Sequence, residues 1–108
     1  MTTQLRRIQE LHRLHQSGCF VIPNPSDLGG ARVLEQLGFP ALATTSSGFA
    51  WAGGRSDNAS SLEEALAHFK EIAEGVGVPV SADFQDCFAT DPSGVEKNVL
   101  AAVATGAT

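Results

Sequence analysis

The chain has 108 residues, of which 43% are hydrophobic and 18% are charged, and its formal net charge is −5. This length allows one domain with a modest core, and the composition is that of a folded globular protein. The excess of acidic residues argues against nucleic-acid or anionic-membrane partners. An anionic substrate would therefore need a positive group beside it, and a divalent metal ion is one candidate.

Cysteine content and the N-terminal residues indicate the compartment. Cys19 and Cys87 are the only cysteines, and we interpret both as reduced thiols. Residues 1–10 are polar, include Arg6 and Arg7, and precede no apolar region of the kind found in signal peptides. No apolar stretch approaches the roughly 18 residues that span a bilayer. These features predict a cytoplasmic protein.

The first part of the chain predicts a helix, a strand and a second helix. An apolar residue recurs at every third position of the first helix, which is typical of one buried face: Leu5, Ile8, Leu11 and Leu14. Residues 19–23 form an apolar run that predicts the first strand. A short helix is expected at residues 30–37, with an inward face of Val33, Leu34 and Leu37.

A second strand is predicted at residues 41–45, and a long loop is predicted after it. Residues 46–60 are rich in Gly, Ser and Ala, include the single Trp, and show no periodicity. Loops of this length in compact domains are more often functional than idle. We expect residues 49–59 to be the most mobile internal segment.

Clear start signals mark the last two helices. Ser61 and Glu64 form a capping box, and Asp91 followed by Pro92 gives an N-cap with proline at the first helical position. A third strand is expected at residues 79–83, and residues 84–90 form a loop. The predicted inward face of the last helix consists of Val95, Val99, Ala102 and Val103.

The predicted order of elements is α-βα-βα-βα with parallel strands. Three strands cannot close a barrel, and a parallel sheet of three strands leaves two unpaired edges. Either the chain is part of something larger, or it associates to cover these edges. Residues 104–108 are typical of a connection from a helix to a further strand.

Small polar residues follow each predicted strand, at the edge where parallel α/β folds carry their sites. Asp83 lies at the C-terminal end of the third strand, where a metal or a hydrogen-bond donor would offset the cost of burying its charge. The alternative is an aspartate that caps its own loop. Residues 44–48 offer four hydroxyls and a glycine, which suit a carboxylate or phosphonate, although an ordinary Ser/Thr turn is equally compatible.

Other polar residues have simpler interpretations. Asp27 is expected to cap the following helix, and Asp57 is expected to form a surface ion pair with Arg55. The three histidines lie on predicted helices away from the strand ends, so we expect them to be solvated or half-buried: His12, His15 and His68.

Five segments in chain order resemble the isocitrate lyase / phosphoenolpyruvate mutase superfamily: residues 21–27, 31–39, 41–50, 54–58 and 79–84. The resemblance extends from about His12 to Gly106. It implies a (β/α)8 barrel, usually tetrameric, that requires Mg²⁺. It also implies that a C–C or P–C bond next to a carboxylate is cleaved or formed through an anionic species.

The resemblance also implies roles for individual residues. The acid group of a small carboxylate or phosphonate substrate would be held by Ser46, Ser47, Gly48, Phe49 and Asn24. Asp83 would orient the metal through water. Asp57 would be a catalytic residue on a mobile gating loop.

The chain departs from the superfamily in three places. Ser81 stands where many members have an acid, which weakens direct ligation of a metal. Gln85, Asp86 and Cys87 replace an acidic residue and glycines, and Cys87 does not occupy the place of a catalytic cysteine. Everything expected after the third β/α unit is absent, including a further metal-binding acid.

We therefore predict an α/β fold in which residues 1–108 form the N-terminal portion of a (β/α)8 barrel. The predicted function is that of a Mg²⁺-dependent lyase or mutase acting on a small 2-oxo or hydroxy acid. The alternative is an inactive truncated fragment, or an association-prone module without catalysis of its own. A flavodoxin-like binding domain is less compatible, because no glycine-rich phosphate turn follows the first predicted strand.

Overall fold

The computed structural model describes residues 1–108, which form five helices and two short strands. In chain order these are α1 (Thr3–Leu14), α2 (Leu28–Gln36), β1 (Leu42–Ala43), α3 (Ser46–Ala52), α4 (Leu62–Gly75), β2 (Val80–Ser81) and α5 (Pro92–Val103). None of these helices combines the length and the apolar character needed to cross a membrane.

Strands β1 and β2 form a parallel pair, as the sequence predicts. Leu42 lies opposite Val80, and Ala43 lies opposite Ser81. The backbone N–H of Thr44 donates to the carbonyl oxygen of Ser81 at 2.9 Å, so the pairing continues to the carboxyl ends of both strands. The polar residues after β1 and β2 therefore leave the sheet at the same edge.

The predicted strand at residues 19–23 is wrong as a strand. One hydrogen bond joins this segment to the sheet, from the N–H of Ala43 to the carbonyl oxygen of Pro23 at 3.1 Å. Pro23 has no N–H to return a second bond, and Val21 is exposed, so no ladder forms. On the far side of β2, the N–H of Thr108 donates to the carbonyl oxygen of Val80 at 2.9 Å. The segment at Pro23, strands β1 and β2, and the segment at Thr108 thus lie side by side in chain order.

The main core lies between β1, β2, α2 and α4. It is formed by five buried residues: Ala31, Leu42, Ile72, Val76 and Val80. Helix α2 turns Leu28, Ala31 and Leu34 toward this core. The expectation that Val33 and Leu37 point inward is therefore wrong: Val33 is exposed because it lies off this stripe, and Leu37 is 71% exposed at the C-cap that follows the helix.

A second cluster holds the segment after β2 against α4 and α5. Its buried members are Ala65, Phe69 and Ala102, and the ring of Phe84 meets that of Phe69 edge-on at 5.4 Å. Helix α5 buries Ala102 and Asn98, whereas Val99 and Val103 are exposed, contrary to expectation. Because Ala102 is small, α5 can pack closely here, and the larger side chains of Val99 and Val103 lie on the exposed side of the helix.

Helix α1 lies across the C-terminal ends of α4 and α5. The guanidinium of Arg7 donates to the carbonyl oxygens of Ala73 and Val76, at 2.6 and 2.5 Å. The amide of Gln4 donates to the carbonyl oxygens of Val103 and Ala107, at 2.7 and 2.8 Å. These side chains satisfy acceptors near the helix ends that have no partner within the helix.

Candidate functional site

A short helix stands where the sequence predicts a long loop. Helix α3 takes up Ser46–Ala52, begins at the N-cap Thr45, and buries Ala50 completely. The Thr45 hydroxyl accepts from the N–H of Gly48 at 3.1 Å. Seven residues rich in Ser, Gly and Ala show too little periodicity to reveal such a helix. The predicted loop is therefore reduced to residues 53–60.

Gly48 brings the first turn of α3 close to two other parts of the chain. A Cβ atom at this position would lie 2.6 Å from Cγ2 of Thr45 and 3.3 Å from Cβ of Ser26. Any side chain would push the turn away from the segment that follows Pro23. The glycine therefore places the polar residues after residue 23 and after β1 next to each other.

Asp83 joins the residues after β2 to the first turn of α3. Its Oδ2 accepts from the N–H of Ser46 at 3.2 Å, and its Oδ1 accepts from the N–H of Gln85 at 3.3 Å. The N–H of Asp83 donates to the Thr44 hydroxyl at 2.9 Å. Burial raises the pKa of Asp83, but the hydrogen bonds from Ser46 and Gln85 outweigh it and leave the pKa below its usual value. Asp83 is thus an ionised carboxylate at neutral pH.

An open groove of about 680 Å³ lies next to Asp83. The residues that line it are mostly polar: Ser46, Asn58, Ser60, Asp83, Gln85, Asp86 and Phe88. Of the residues predicted for the site, Ser46 and Asp83 lie on this groove. Ser47, Gly48 and Phe49 belong to the adjoining turn and helix, whereas Asn24 and Asp57 are exposed away from the lining.

His68 is the residue that sequence reasoning missed. It is 5% exposed, and its ring stacks on Phe49 with centroids 4.1 Å apart, so the expectation of a solvated or half-buried histidine is wrong. Burial lowers its pKa, against the opposing charges of Glu71 and Asp27, and its Nε2 has no hydrogen-bond partner. Its spacing from Ala65 places it on the buried face of α4, which is a signal the sequence does contain.

His68 and Phe49 line a small cleft on the sheet side of α4. Its volume of about 10 Å³ holds at most one water molecule. Thr44, Ser46 and Asp83 line the same cleft. The stacked pair therefore supports α3 directly behind the groove.

The segment after α3 is held by Arg55. Its guanidinium pairs with Glu64 and lies 5.7 Å from the centre of the Phe49 ring. The expected pair between Arg55 and Asp57 is wrong, because Glu64 at the start of α4 takes the guanidinium. The side-chain hydrogen bond from Arg55, and then the bond from the Ser61 backbone, lower the pKa of Glu64. Asp57 instead accepts from the N–H of Asn58 at 2.9 Å.

The groove offers ligands of the right kind for a hard cation, but few of them. Asp83 and Asp86 supply carboxylate oxygens, and the remaining polar side chains supply hydroxyl and amide oxygens, as Mg²⁺ and Ca²⁺ prefer. No group of three or more His, Cys, Asp or Glu side chains is arranged so that it could hold a metal ion. The chain can therefore supply part of a coordination sphere, chiefly through Asp83.

Known proteins match nearly the whole chain. The sequence model of the phosphoenolpyruvate phosphomutase family matches residues 11–108. A structure from Burkholderia cenocepacia J2315 described as a lyase/mutase has 40% sequence identity and a TM-score of 0.95, and it covers 98% of this chain and 39% of its own. The chain has no match among curated proteins.

Two further structures extend the comparison. A structure described as a phosphonomutase of Burkholderia cenocepacia J2315 has 26% identity and a TM-score of 0.89, over 94% of this chain and 42% of its own. A phosphoenolpyruvate phosphomutase of Streptomyces platensis subsp. rosaceus has 28% identity and a TM-score of 0.80, over 92% and 35%. This chain thus spans well under half the length of each structure, and the predicted α/β fold, the N-terminal part of a barrel, is confirmed.

Proposed function

Because the chain belongs to the phosphoenolpyruvate phosphomutase family, we propose that it contributes to a Mg²⁺-dependent lyase or mutase. Its substrate would be a small 2-oxo or hydroxy acid carrying a carboxylate or phosphonate. The reaction would cleave or rearrange a C–C or P–C bond through an anionic intermediate. Such chemistry depends mainly on electrostatic stabilisation of the developing charge.

The observation that supports this proposal most strongly is the hydrogen bond from Ser46 to Asp83. It brings the polar residues after β1 and β2 into one constellation at the carboxyl edge of the sheet. Active sites of (β/α)8 enzymes lie at this edge. An ionised carboxylate here, beside hydroxyl and N–H groups, combines the two functions that the reaction requires: metal binding and recognition of an acid group.

The first turn of α3 is the proposed site for the acid group. Three of its N–H groups are already engaged: Ser46 donates to Asp83, and Gly48 and Phe49 donate to Thr45. The N–H of Ser47 has no partner within the chain, and its hydroxyl lies 3.3 Å from that of Thr45. We assign Ser47 as the principal donor, with Ser46, Gly48 and Phe49 forming the turn.

Two acids complete the proposal. Asp83 would hold Mg²⁺ through water, since both of its oxygens already accept backbone hydrogen bonds. When bound there, Mg²⁺ supplies a Lewis acid that stabilises negative charge on an oxygen of the substrate. Asp57, on the exposed segment after α3, would approach as an acid or base when this segment closes.

Asn24 would contact the substrate from the segment next to β1.

The oligomeric state and the cellular location can be proposed from the exposed apolar side chains and from the cysteines. Apolar side chains remain exposed on α2 and α5, including Val33 and Leu100. Burial of such side chains favours association, so we propose a homo-oligomer, a tetramer by analogy with the superfamily. Both cysteines are free thiols, which supports a cytoplasmic location.

A chimera tests the proposal. This chain would replace the matching segment of the Burkholderia lyase/mutase, and turnover of phosphonopyruvate, oxaloacetate and 2-methylisocitrate would be measured with Mg²⁺ and with EDTA. We expect the chimera to keep the activity that the unaltered relative shows, to lose it in EDTA, and to lose it on Asp83→Ala. The 108-residue chain alone should show no turnover, because Mg²⁺ needs further ligands.

Two results would contradict this account. One is turnover by the chimera that persists without Mg²⁺ or after Asp83→Ala. The other is a folded chimera without activity on a substrate that the unaltered relative converts, which would favour the inactive-module alternative. Glu96→Ala is the matched control, since Glu96 is an exposed carboxylate of α5 that does not line the groove.

A further inference from the structure

Two buried side-chain nitrogens have no hydrogen-bond partner within the chain: Nε of Arg7 and Nε2 of His68. The other two nitrogens of the Arg7 guanidinium donate to carbonyl oxygens. The His68 ring is stacked on Phe49 and is 5% exposed, so its Nε2 cannot reach bulk solvent. Because a buried polar atom without a partner destabilises a fold, a partner for Nε2 is to be expected.

The small cleft beside His68 has room for such a partner. Its volume of about 10 Å³ matches a single water molecule and excludes a larger ligand. Its walls come from the end of β1, from α3 and α4, and from the segment after β2. Clefts that stay dry are apolar, whereas four hydroxyl-bearing residues line this one: Thr44, Thr45, Ser46 and Ser60.

Thr44 supplies the group that complements Nε2. It is 3% exposed, and its hydroxyl oxygen accepts from the N–H of Asp83 at 2.9 Å. The proton of this hydroxyl takes part in no hydrogen bond of the chain. A hydroxyl carries one donor and two acceptor lone pairs, so Thr44 can still donate into the cleft.

The other hydroxyls of the cleft already have side-chain partners. That of Ser46 bonds Asp83, that of Thr45 lies 3.3 Å from the hydroxyl of Ser47, and that of Ser60 lies 3.5 Å from the guanidinium of Arg55. Thr44 is therefore the donor best suited to a water molecule beside Nε2.

We propose that the cleft binds one ordered water molecule, which accepts from the hydroxyl of Thr44 and donates to Nε2 of His68. The proton of the neutral imidazole then lies on Nδ1, since Nε2 is the acceptor. Because Thr44 also accepts from the N–H of Asp83, the water joins α4 to the backbone of Asp83. This inference goes beyond the proposed function and does not depend on it.

Nitrogen NMR of the histidine rings tests the tautomer. The 108-residue chain is labelled with ¹⁵N-histidine, and long-range proton–nitrogen spectra are recorded at pH 7.5, where burial lowers the pKa of His68 and keeps the ring neutral. We expect the Nδ1–H tautomer of His68 to be preferred about three- to tenfold, as one net hydrogen bond allows. Exposed His12 is the reference in the same spectrum. A protonated Nε2 in His68 would overturn the inference.

Water-selective NOE spectra and two variants test the water itself. Bound water should give cross-peaks to Hδ2 and Hε1 of His68, the ring protons next to Nε2. Thr44→Val removes the hydroxyl, so it should lose both the cross-peaks and the tautomer preference. Thr44→Ser keeps the hydroxyl and should retain both. Cross-peaks that persist in Thr44→Val would count against Thr44 as the donor, and none in the folded wild-type chain would count against the site.

A high-resolution crystal structure of the chain gives a second, independent measurement, and it decides the question if Thr44→Val does not fold. Water density within about 3.2 Å of both Nε2 of His68 and Oγ1 of Thr44 would support the inference. A cleft without density would overturn it. None of these results bears on turnover by the chimera, so the proposed function stands or fails separately.

Discussion

The imidazole ring of His68 lies almost flat against the ring of Phe49, with centroids 4.1 Å apart and planes inclined by 17°. This contact joins the longest helix, α4, to the short helix α3. Because α3 presents Ser46 to Asp83, the stack determines where the proposed acid-binding turn lies. His68 thus supports the site from behind without reaching the groove.

The pH dependence of stability should reflect His68. Burial lowers its pKa in the folded state, so the unfolded chain binds the proton more readily. Stability should be complete above about pH 6.5, the ordinary value, and should fall with pH until the lowered folded pKa is reached. Urea unfolding between pH 7.5 and 5 measures this loss.

Two variants test the assignment to His68. His68→Phe keeps an aromatic ring on Phe49 and removes the unpartnered Nε2, so it should lose that part of the pH dependence without loss of stability at pH 7.5. His12→Gln removes an exposed histidine and should leave the profile unchanged. An unchanged profile in His68→Phe would show that other groups are responsible.

Gly48 should tolerate no side chain. In Gly48→Ala the new Cβ would lie 2.6 Å from Cγ2 of Thr45, so the turn must shift. We expect a loss of about 1–3 kcal/mol in the free energy of unfolding, as for other overpacked sites. Gly29→Ala in α2 meets nothing closer than 3.7 Å and should be neutral or stabilising. Equal unfolding midpoints for the two variants would contradict the close approach.

The stabilising contacts of Arg7 should depend on its guanidinium group. Arg7→Lys keeps the charge but loses the planar fork that reaches the carbonyl oxygens of Ala73 and Val76. The free energy of unfolding should fall by about 1.5–3 kcal/mol, the range for a hydrogen bond from a charged group. Arg6→Lys, at the exposed neighbouring position, should change it little. Denaturation curves that coincide for both variants would show that the hydrogen bonds of Arg7 do not stabilise the fold.

Self-association should involve the exposed face of α5. Leu100 is 63% exposed, and it lines a shallow apolar surface with Val95 and Val99. Leu100→Lys should reduce the oligomeric mass measured by light scattering with ultracentrifugation. Gln36→Lys adds the same charge at an exposed polar position of α2 and should leave the mass unchanged. A wild-type chain that is monomeric throughout would refute association through this face.

Signals confined to a few neighbouring residues predicted the fold well. The capping box of Ser61 and Glu64 forms as expected, and α5 begins at Pro92 after Asp91. Each of these signals acts within one helical turn, so the sequence alone contains it. The parallel pairing of β1 and β2 follows from two apolar runs with one clearly predicted helix, α4, between them.

Features that depend on distant contacts could not be predicted in the same way. Helix α3 is stabilised by Phe49 stacking on His68, which lies nineteen positions along the chain. The partner of Arg55 is decided by where α4 begins, and the exposure of Val33 is decided by which face of α2 meets the core. Within the site, the position of Asp83 was predictable, whereas the positive φ angles of Cys87 and Phe88 occur where Asn98 of α5 donates to their carbonyl oxygens.

The contacts of α1 have a consequence for the order in which the chain can fold. Gln4 donates to carbonyl oxygens 99 and 103 residues further along, and Arg7 donates to carbonyl oxygens 66 and 69 residues away. During synthesis on the ribosome, α1 leaves the exit tunnel before α4 and α5 and has no docking surface until they have emerged. Helix α1 should therefore wait undocked until these two helices are in place.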